Sequence, residues 1–227
     1  MNKETFEKLW SPHPDAPAQN PDELFWLVNK VEDLSPKCIL EIGVARGGSL
    51  RYWEYLAPPK IDGGLVMGIE LSLKVFEEIE EWWDWKSSNR DLGIIVGDSL
   101  HVNVITQVKR ILSGRKLDFL FIDGNHDPEW IFREFVIYGE MVRYGGLIAF
   151  HDIRPEMHLQ YVFNKLRGRT ERYLRNLGIG IWWKEDFGYP VVFKRHDNVF
   201  HPFDLDEPQT KRLNEVWNTI KFDYWRE

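Results

Sequence analysis

The segment Cys38-Ile39-Leu40-Glu41-Ile42-Gly43-Val44-Ala45-Arg46-Gly47-Gly48-Ser49 constrains this chain most, because a short apolar run ends in an acid and then gives way to glycines. The run is β-rich and too short for a helix, so it suits a buried strand. Glycines let backbone approach a ligand closely, and a helix beginning after them offers unpaired N–H groups. An acid at the tip of such a strand points to a site for a nucleoside-bearing cofactor.

The pattern recurs along the chain. A helix is expected over 21–31, where Leu24, Phe25, Leu27, Val28 and Val31 have helical spacing, covering the sheet edge or the cofactor mouth. Further strands are expected over 65–70, ending on Glu70, over 92–97, ending at Asp98, over 117–122, ending at Asp123, and over 146–150, ending at His151-Asp152. A helical stretch is expected over 73–85. Between the fourth and fifth strands, Asp127 can cap a helix whose first turn takes Pro128 and whose apolar stripe is Ile131, Phe135, Tyr138 and Val142. Strands alternating with amphipathic segments predict an α/β fold, a Rossmann-like doubly wound sheet that is mostly parallel. Beyond Asp152 a helix is expected over 157–166. Two close β runs, 179–183 and 191–194, then predict a C-terminal antiparallel hairpin.

The expected division is an N-terminal extension over 1–20, one domain over 21–200, and a tail over 201–227 with a helix through Leu213, Val216, Trp217 and Ile220. A net charge of −7 removes the electrostatic footprint of sequence-independent nucleic-acid binding. No apolar run has the length of a signal-peptide core or a membrane span, so a soluble, cytoplasmic protein is expected, with neither nucleic acid nor membrane as partner. The single cysteine, Cys38, fits a reducing compartment. With 11 Trp and 14 Phe, an aromatic core or pocket is expected, and homo-oligomerisation is compatible with it.

In open α/β sheets ligands bind beyond the carboxyl ends of the strands. Glu70 is placed there to accept hydrogen bonds from a ribose diol, and Asp98 lies within reach of an adenine amine. The spacing of Gly43, Gly47 and Gly48 differs from the dinucleotide fingerprint, and the nearby negative charge suits a cationic ligand.

These residues resemble the class I S-adenosylmethionine-dependent methyltransferases over about 20–195. The acid-x-Gly-x-Gly-x-Gly turn is matched by Glu41, Gly43 and Gly47, with Ala45 at the middle glycine as a mild substitution. The resemblance implies that S-adenosyl-L-methionine is the cofactor. Its methionine part would be held by Glu41 and the turn Gly43, Ala45, Gly47, Gly48 and Ser49, its ribose by Glu70 and its adenine by Asp98, with Asp123 also at the cofactor.

The runs Phe121-Ile122-Asp123-Gly124-Asn125-His126-Asp127 and Gly145-Gly146-Leu147-Ile148-Ala149-Phe150-His151-Asp152 would bring Asp123 and Asp152 side by side, with His151 beside them. Carboxylates that close call for a cation or a proton. The arrangement resembles the metal-dependent O-methyltransferases of the macrolide-sugar O-methyltransferase and cephalosporin-hydroxylase-like branch. It implies Asp123, His151 and Asp152 as metal ligands and His126 as catalytic base beside Asp123. The first residue of the last pair is usually acidic in those relatives, and here it is His151. Mg²⁺ suits the oxygen ligands, and a His in the shell admits Mn²⁺ or Fe²⁺.

The implied reaction is metal-assisted O-methylation of a small-molecule or glycosyl acceptor bearing a hydroxyl. The extension, Trp82-Trp83-Asp84-Trp85 and Ile181-Trp182-Trp183 are candidates for the acceptor lid. The alternatives are a cephalosporin-hydroxylase-like iron oxygenase and a noncatalytic adenosylmethionine-binding scaffold.

Overall fold

The computed structural model describes residues 1–10, 17–72, 92–154 and 168–185, together with 160, 163, 164 and 166. The expected elements over 73–85 and 191–194, the C-terminal helix and the Trp82 to Trp85 cluster lie outside the described residues, as does most of the helix expected over 157–166.

Among the described residues seven strands form one sheet: β1 (Cys38–Ile42), β2 (Leu65–Glu70), β3 (Leu92–Val96), β4 (Leu117–Ile122), β5 (Val142–His151), β6 (Thr170–Tyr173) and β7 (Ile179–Trp183). Their order is β3-β2-β1-β4-β5-β7-β6. The first five run parallel, while β7 lies antiparallel to both β5 and β6. The antiparallel hairpin is therefore β6–β7. Its first strand is a polar edge strand, Thr-Glu-Arg-Tyr, without the apolar alternation that betrays a strand in sequence.

Residues alternate across the sheet into two apolar layers. Leu40, Ile42, Met67, Leu120 and Ile122 face α4 (Val102–Leu112) and α5 (Pro128–Gly139). Ile39, Val66, Phe119 and Phe121 face α1 (Lys3–Trp10), α2 (Pro21–Glu32) and α3 (Leu50–Leu56). The segment read as an extension thus contributes α1, whose buried Phe6 packs on Phe25 and Tyr52 at ring separations of 5.0 and 4.8 Å.

Local chemistry explains the element ends. Asn20 caps α2 through Asp22 N–H at 3.0 Å. Asp127 caps α5 as expected, accepting from the N–H groups of Glu129 at 2.9 Å and Trp130 at 3.2 Å. That helix stops at Gly139, and Val142 opens β5 instead of closing the stripe. β5 is longer than expected because its pairing with β4 jumps from Leu117↔Val142 to Phe119↔Leu147, a bulge carrying Gly145 at φ +71°. No helix among the described residues is long and apolar enough to cross a membrane.

Candidate active site

Strand order reverses between β1 and β4, and the backbone there is drawn unusually close. Gly43 has φ +85°, and a Cβ on it would meet the Asp123 carbonyl oxygen at 2.2 Å and Gly124 Cα at 2.4 Å. Only glycine fits this position. Ala45 also lies in the left-handed region, at φ +46°, so the cost of its replacing glycine falls on the backbone rather than on the bulk of one methyl.

A cavity of about 380 Å³ opens over these strand ends, within the ~300–1,000 Å³ range of small-molecule and cofactor sites. Gly43, Ala45, Glu70, Asp98 and Asp123 all line it. Glu70 is anchored by Ala45 N–H, which donates to its Oε2 at 2.8 Å. Asp98 accepts from Leu100 N–H at 2.8 Å.

Glu41, Gly47, Gly48 and Ser49 are not among the lining residues. Strand alternation turns Glu41 onto the opposite face from Ile42, where it is fully buried; its Oε1 accepts from the Ser49 hydroxyl at 2.5 Å and its Oε2 from Trp53 Nε1 at 2.8 Å. Burial, reinforced by Asp123 and Glu70 against those hydrogen bonds, pushes its carboxyl up to about 8. Glu41, expected at the methionine part of the cofactor, thus has both oxygens engaged inside the protein, where they tie β1 to the start of α3. Ser49 uses its hydroxyl in the same contact and makes no side-chain cap.

Past Asp123 the acids converge as the sequence implied. His151 Nδ1 lies 2.9 Å from Asp123 Oδ1 and 3.4 Å from Asp152 Oδ1, and His126 Nε2 lies 3.0 Å from Asp152 Oδ2. Asp152 is 2% exposed and held at φ +58°, a non-glycine in the left-handed region of the kind that clusters at functional sites. Burial alone would push the His151 ring down, but the Asp123 and Asp152 carboxylates outweigh it and raise its pKa to about 10. Burial likewise opposes ionisation of Asp152, and the His151 and His126 rings override it, holding the carboxyl below its ordinary value.

The donor atoms of Asp123, His126 and Asp152 lie within 4.8 Å of one another, a spread that one cation with bonds of roughly 2.0–2.6 Å can bridge. His151 stands apart from that group. Its Nδ1 is engaged with the two carboxylates and its Nε2 is buried without a partner.

Three residues near the cavity were not anticipated. Gln19 is 7% exposed and its Nε2 donates to Asp123 Oδ2; nothing in the sequence marks it. Trp130 and Glu134 of α5 line the cavity. Glu134 was detectable, since an acid three residues after Ile131 and four before Tyr138 falls on the buried stripe of its helix. Conversely, Trp182 belongs to the core, 5.8 Å from the Phe135 ring, and Trp183 lies under the Arg169 guanidinium at 3.9 Å.

Over residues 16–165 the sequence matches the family described as rhamnosyl O-methyltransferase/CmcI. The fold is similar to that of an O-methyltransferase from Bacillus cereus in complex with SAH, with 18% identity, 81% of this chain and 92% of that one covered, and a TM-score of 0.59. It is similar to TomG from Streptomyces achromogenes, an O-methyltransferase of tomaymycin synthesis in complex with SAM, with 16% identity, coverage of 82% and 91%, and a TM-score of 0.60. MycE, a methyltransferase of the mycinamycin pathway in complex with Mg, SAH and mycinamycin VI, matches with 17% identity and a TM-score of 0.56 over 82% of this chain and 55% of MycE. No curated protein sequence matches the chain.

Proposed function

The chain belongs to the rhamnosyl O-methyltransferase/CmcI family and has the fold of the S-adenosylmethionine-dependent O-methyltransferases, and from that premise we propose that it methylates a hydroxyl of a sugar or other small molecule with the aid of a divalent cation. One observation carries the reading. The cavity that fits a nucleoside cofactor has Asp123 as its last wall, and the same carboxylate belongs to the group that can hold a cation.

The chain's residues divide the work along that cavity. Gly43 clears the floor, Glu70 faces the ribose, and the wall at Asp98 and Ser99 takes the base. Asp123 and Asp152 would hold the cation, with His126 as third donor. This reading favours a ligand role for His126 over the base role expected from sequence, because its Nε2 points at the acids. His151 is the internal cation that keeps the two carboxylates together. A bound divalent ion would orient adjacent acceptor oxygens and lower a hydroxyl pKa, and the cofactor's sulfonium carries the electrophilic methyl. His126, with 60% of its side chain exposed, marks the open side from which an acceptor would enter. Chelation favours a vicinal diol or catechol-like acceptor.

Calorimetric titration of EDTA-treated protein with S-adenosylhomocysteine, repeated with Mg²⁺ and Mn²⁺, tests the proposal. Expected are a dissociation constant on the order of micromolar and a separate cation-binding event that His126→Ala weakens. Absence of nucleoside binding under every condition, or O₂ uptake with Fe²⁺ and 2-oxoglutarate, overturns it.

A further inference from the structure

The cavity has a direction set by the sheet. Its wall runs from Gly97, Asp98 and Ser99 after β3, past Glu70 on β2 and Gly43 and Ala45 after β1, to Asp123 after β4. With methyl transfer at the Asp123 end and the ribose at Glu70, the β3 end is left for the base. There the wall is completed by α5, which crosses to it through Tyr138. Its hydroxyl donates to the Ser99 carbonyl at 2.6 Å.

Glu134 stands one turn before that tyrosine on the same helix face. It is 1% exposed, its Oε1 accepts from the Ser99 hydroxyl at 2.5 Å, and its Oε2 is buried without a hydrogen-bond partner among the described residues. A buried acceptor left unpaired costs about 1–3 kcal/mol. A residue serving only to fill the helix interface would be apolar. Asp98, by comparison, has one oxygen engaged in its own turn with Leu100 N–H. Trp130, four residues before Glu134 and on the same helix face, also lines the cavity. A flat aromatic surface beside a carboxylate suits a planar base with an N–H donor on its edge.

On the cofactor reading above, we infer that Glu134 accepts the exocyclic amine of the purine through Oε2 while Ser99 holds the carboxylate in place, so that the site selects a 6-amino over a 6-oxo base. Geometry and charge agree. Burial pushes the Glu134 carboxyl up to about 7 against the Ser99 hydroxyl and the Trp130 indole N–H, with Asp98 adding to the rise, and a further amine donor would stabilise the ionised form in that place.

The test is calorimetric titration of the full chain with S-adenosylhomocysteine and with its 6-oxo counterpart, S-inosylhomocysteine. Wild type is expected to prefer the adenosyl ligand by about tenfold or more. Glu134→Gln keeps an oxygen for Ser99 but can turn an N–H₂ group toward the base, so the preference should vanish or reverse. Ser99→Ala, a milder change that leaves the carboxylate present but unsupported, should narrow it. An unchanged ratio in both variants, or a ratio lost only in Asp98→Asn, overturns the inference. Wild-type protein that binds both ligands equally overturns it alone, whereas wild-type protein that binds neither removes the cofactor reading as well.

Discussion

Glu41 and Glu70 are both acids at the ends of neighbouring parallel strands, yet they serve opposite purposes. Glu70 lines the cavity, while Glu41 is sealed behind it with Ser49 and Trp53 on its two oxygens. The sealed acid has a consequence for stability. Its folded pKa of about 8 lies above the ordinary carboxylate value of 4.5, so between these limits the native state binds more protons than the unfolded one, and stability falls as pH rises. The contribution is fully present below pH 4.5 and is lost as pH passes through 8. Glu41→Gln resembles the protonated side chain, with an amide N–H₂ for the Ser49 oxygen and a carbonyl for Trp53 Nε1. This variant should keep the fold and flatten the decline in melting temperature between pH 5 and 8. A decline as steep as wild type would place the titrating group elsewhere. Sequence alone could not separate the two glutamates. Both end an apolar run, and only the pairing of Glu41 with Phe121 beside Trp53 shows which face it takes.

The element on which the site depends is the junction of the β1 turn with the end of β4. Asp123 N–H donates to the Ile42 carbonyl at 2.9 Å, and Gly43 N–H donates to that of Ile69 at the same distance. Three strand ends are thus locked with Gly43 at their centre. Gly43→Ala must strain a left-handed backbone and push its methyl into Asp123 and Gly124. We expect a loss of about 2–5 kcal/mol and a fall in Tm of about 5–15 °C in thermal denaturation, with weakened cofactor binding. Ala45→Gly is the contrasting control. Relief of about 1–2 kcal/mol of left-handed strain is offset by about 0.5–1 kcal/mol of unfolded-state entropy, so stability should hold or rise slightly. A tolerated Gly43→Ala would mean that the junction yields. At this scale the sequence was informative wherever burial wrote the pattern: the five parallel strands, the capped α5, and the glycine turn. It was silent on α1, where Phe6 is the one buried residue, and on β6, whose exposed edge needs no apolar face. It shortened β5 because Gly145-Gly146 resembles a break but forms a bulge within the strand.

Across the whole molecule, the two ends of the described chain meet at a single carboxylate. Glu23 on α2 is fully buried, and its Oε1 accepts from the backbone N–H groups of Arg175 at 2.6 Å, Asn176 at 2.5 Å and Gly178 at 3.0 Å. These residues form the turn between β6 and β7. Arg175 and Asn176 lie on the exposed side of the turn, whereas Gly178 is buried and its N–H has no solvent to turn to, and a carboxylate oxygen is a strong acceptor for all three. The contact also bears on the site from both directions. Gln19, four residues ahead of Glu23, reaches Asp123, while the turn's far side holds the chain leaving Asp152 through Arg154 N–H to Leu177 O at 3.0 Å. One carboxylate therefore couples the N-terminal cover to the segment that fixes the left-handed Asp152. Glu23→Ala would remove the shared acceptor of three backbone donors and strand the buried one, that of Gly178. The expected loss is about 2–3 kcal/mol, or about 4–12 °C in Tm for a chain of this size. Divalent-cation affinity should fall at temperatures where the variant is still folded. Glu23→Gln, which keeps a neutral oxygen for the same donors, should lose less on both measures. If Glu23→Ala melted within 2 °C of wild type, the turn would be held by its own packing, and the cover over the acids would be independent of it.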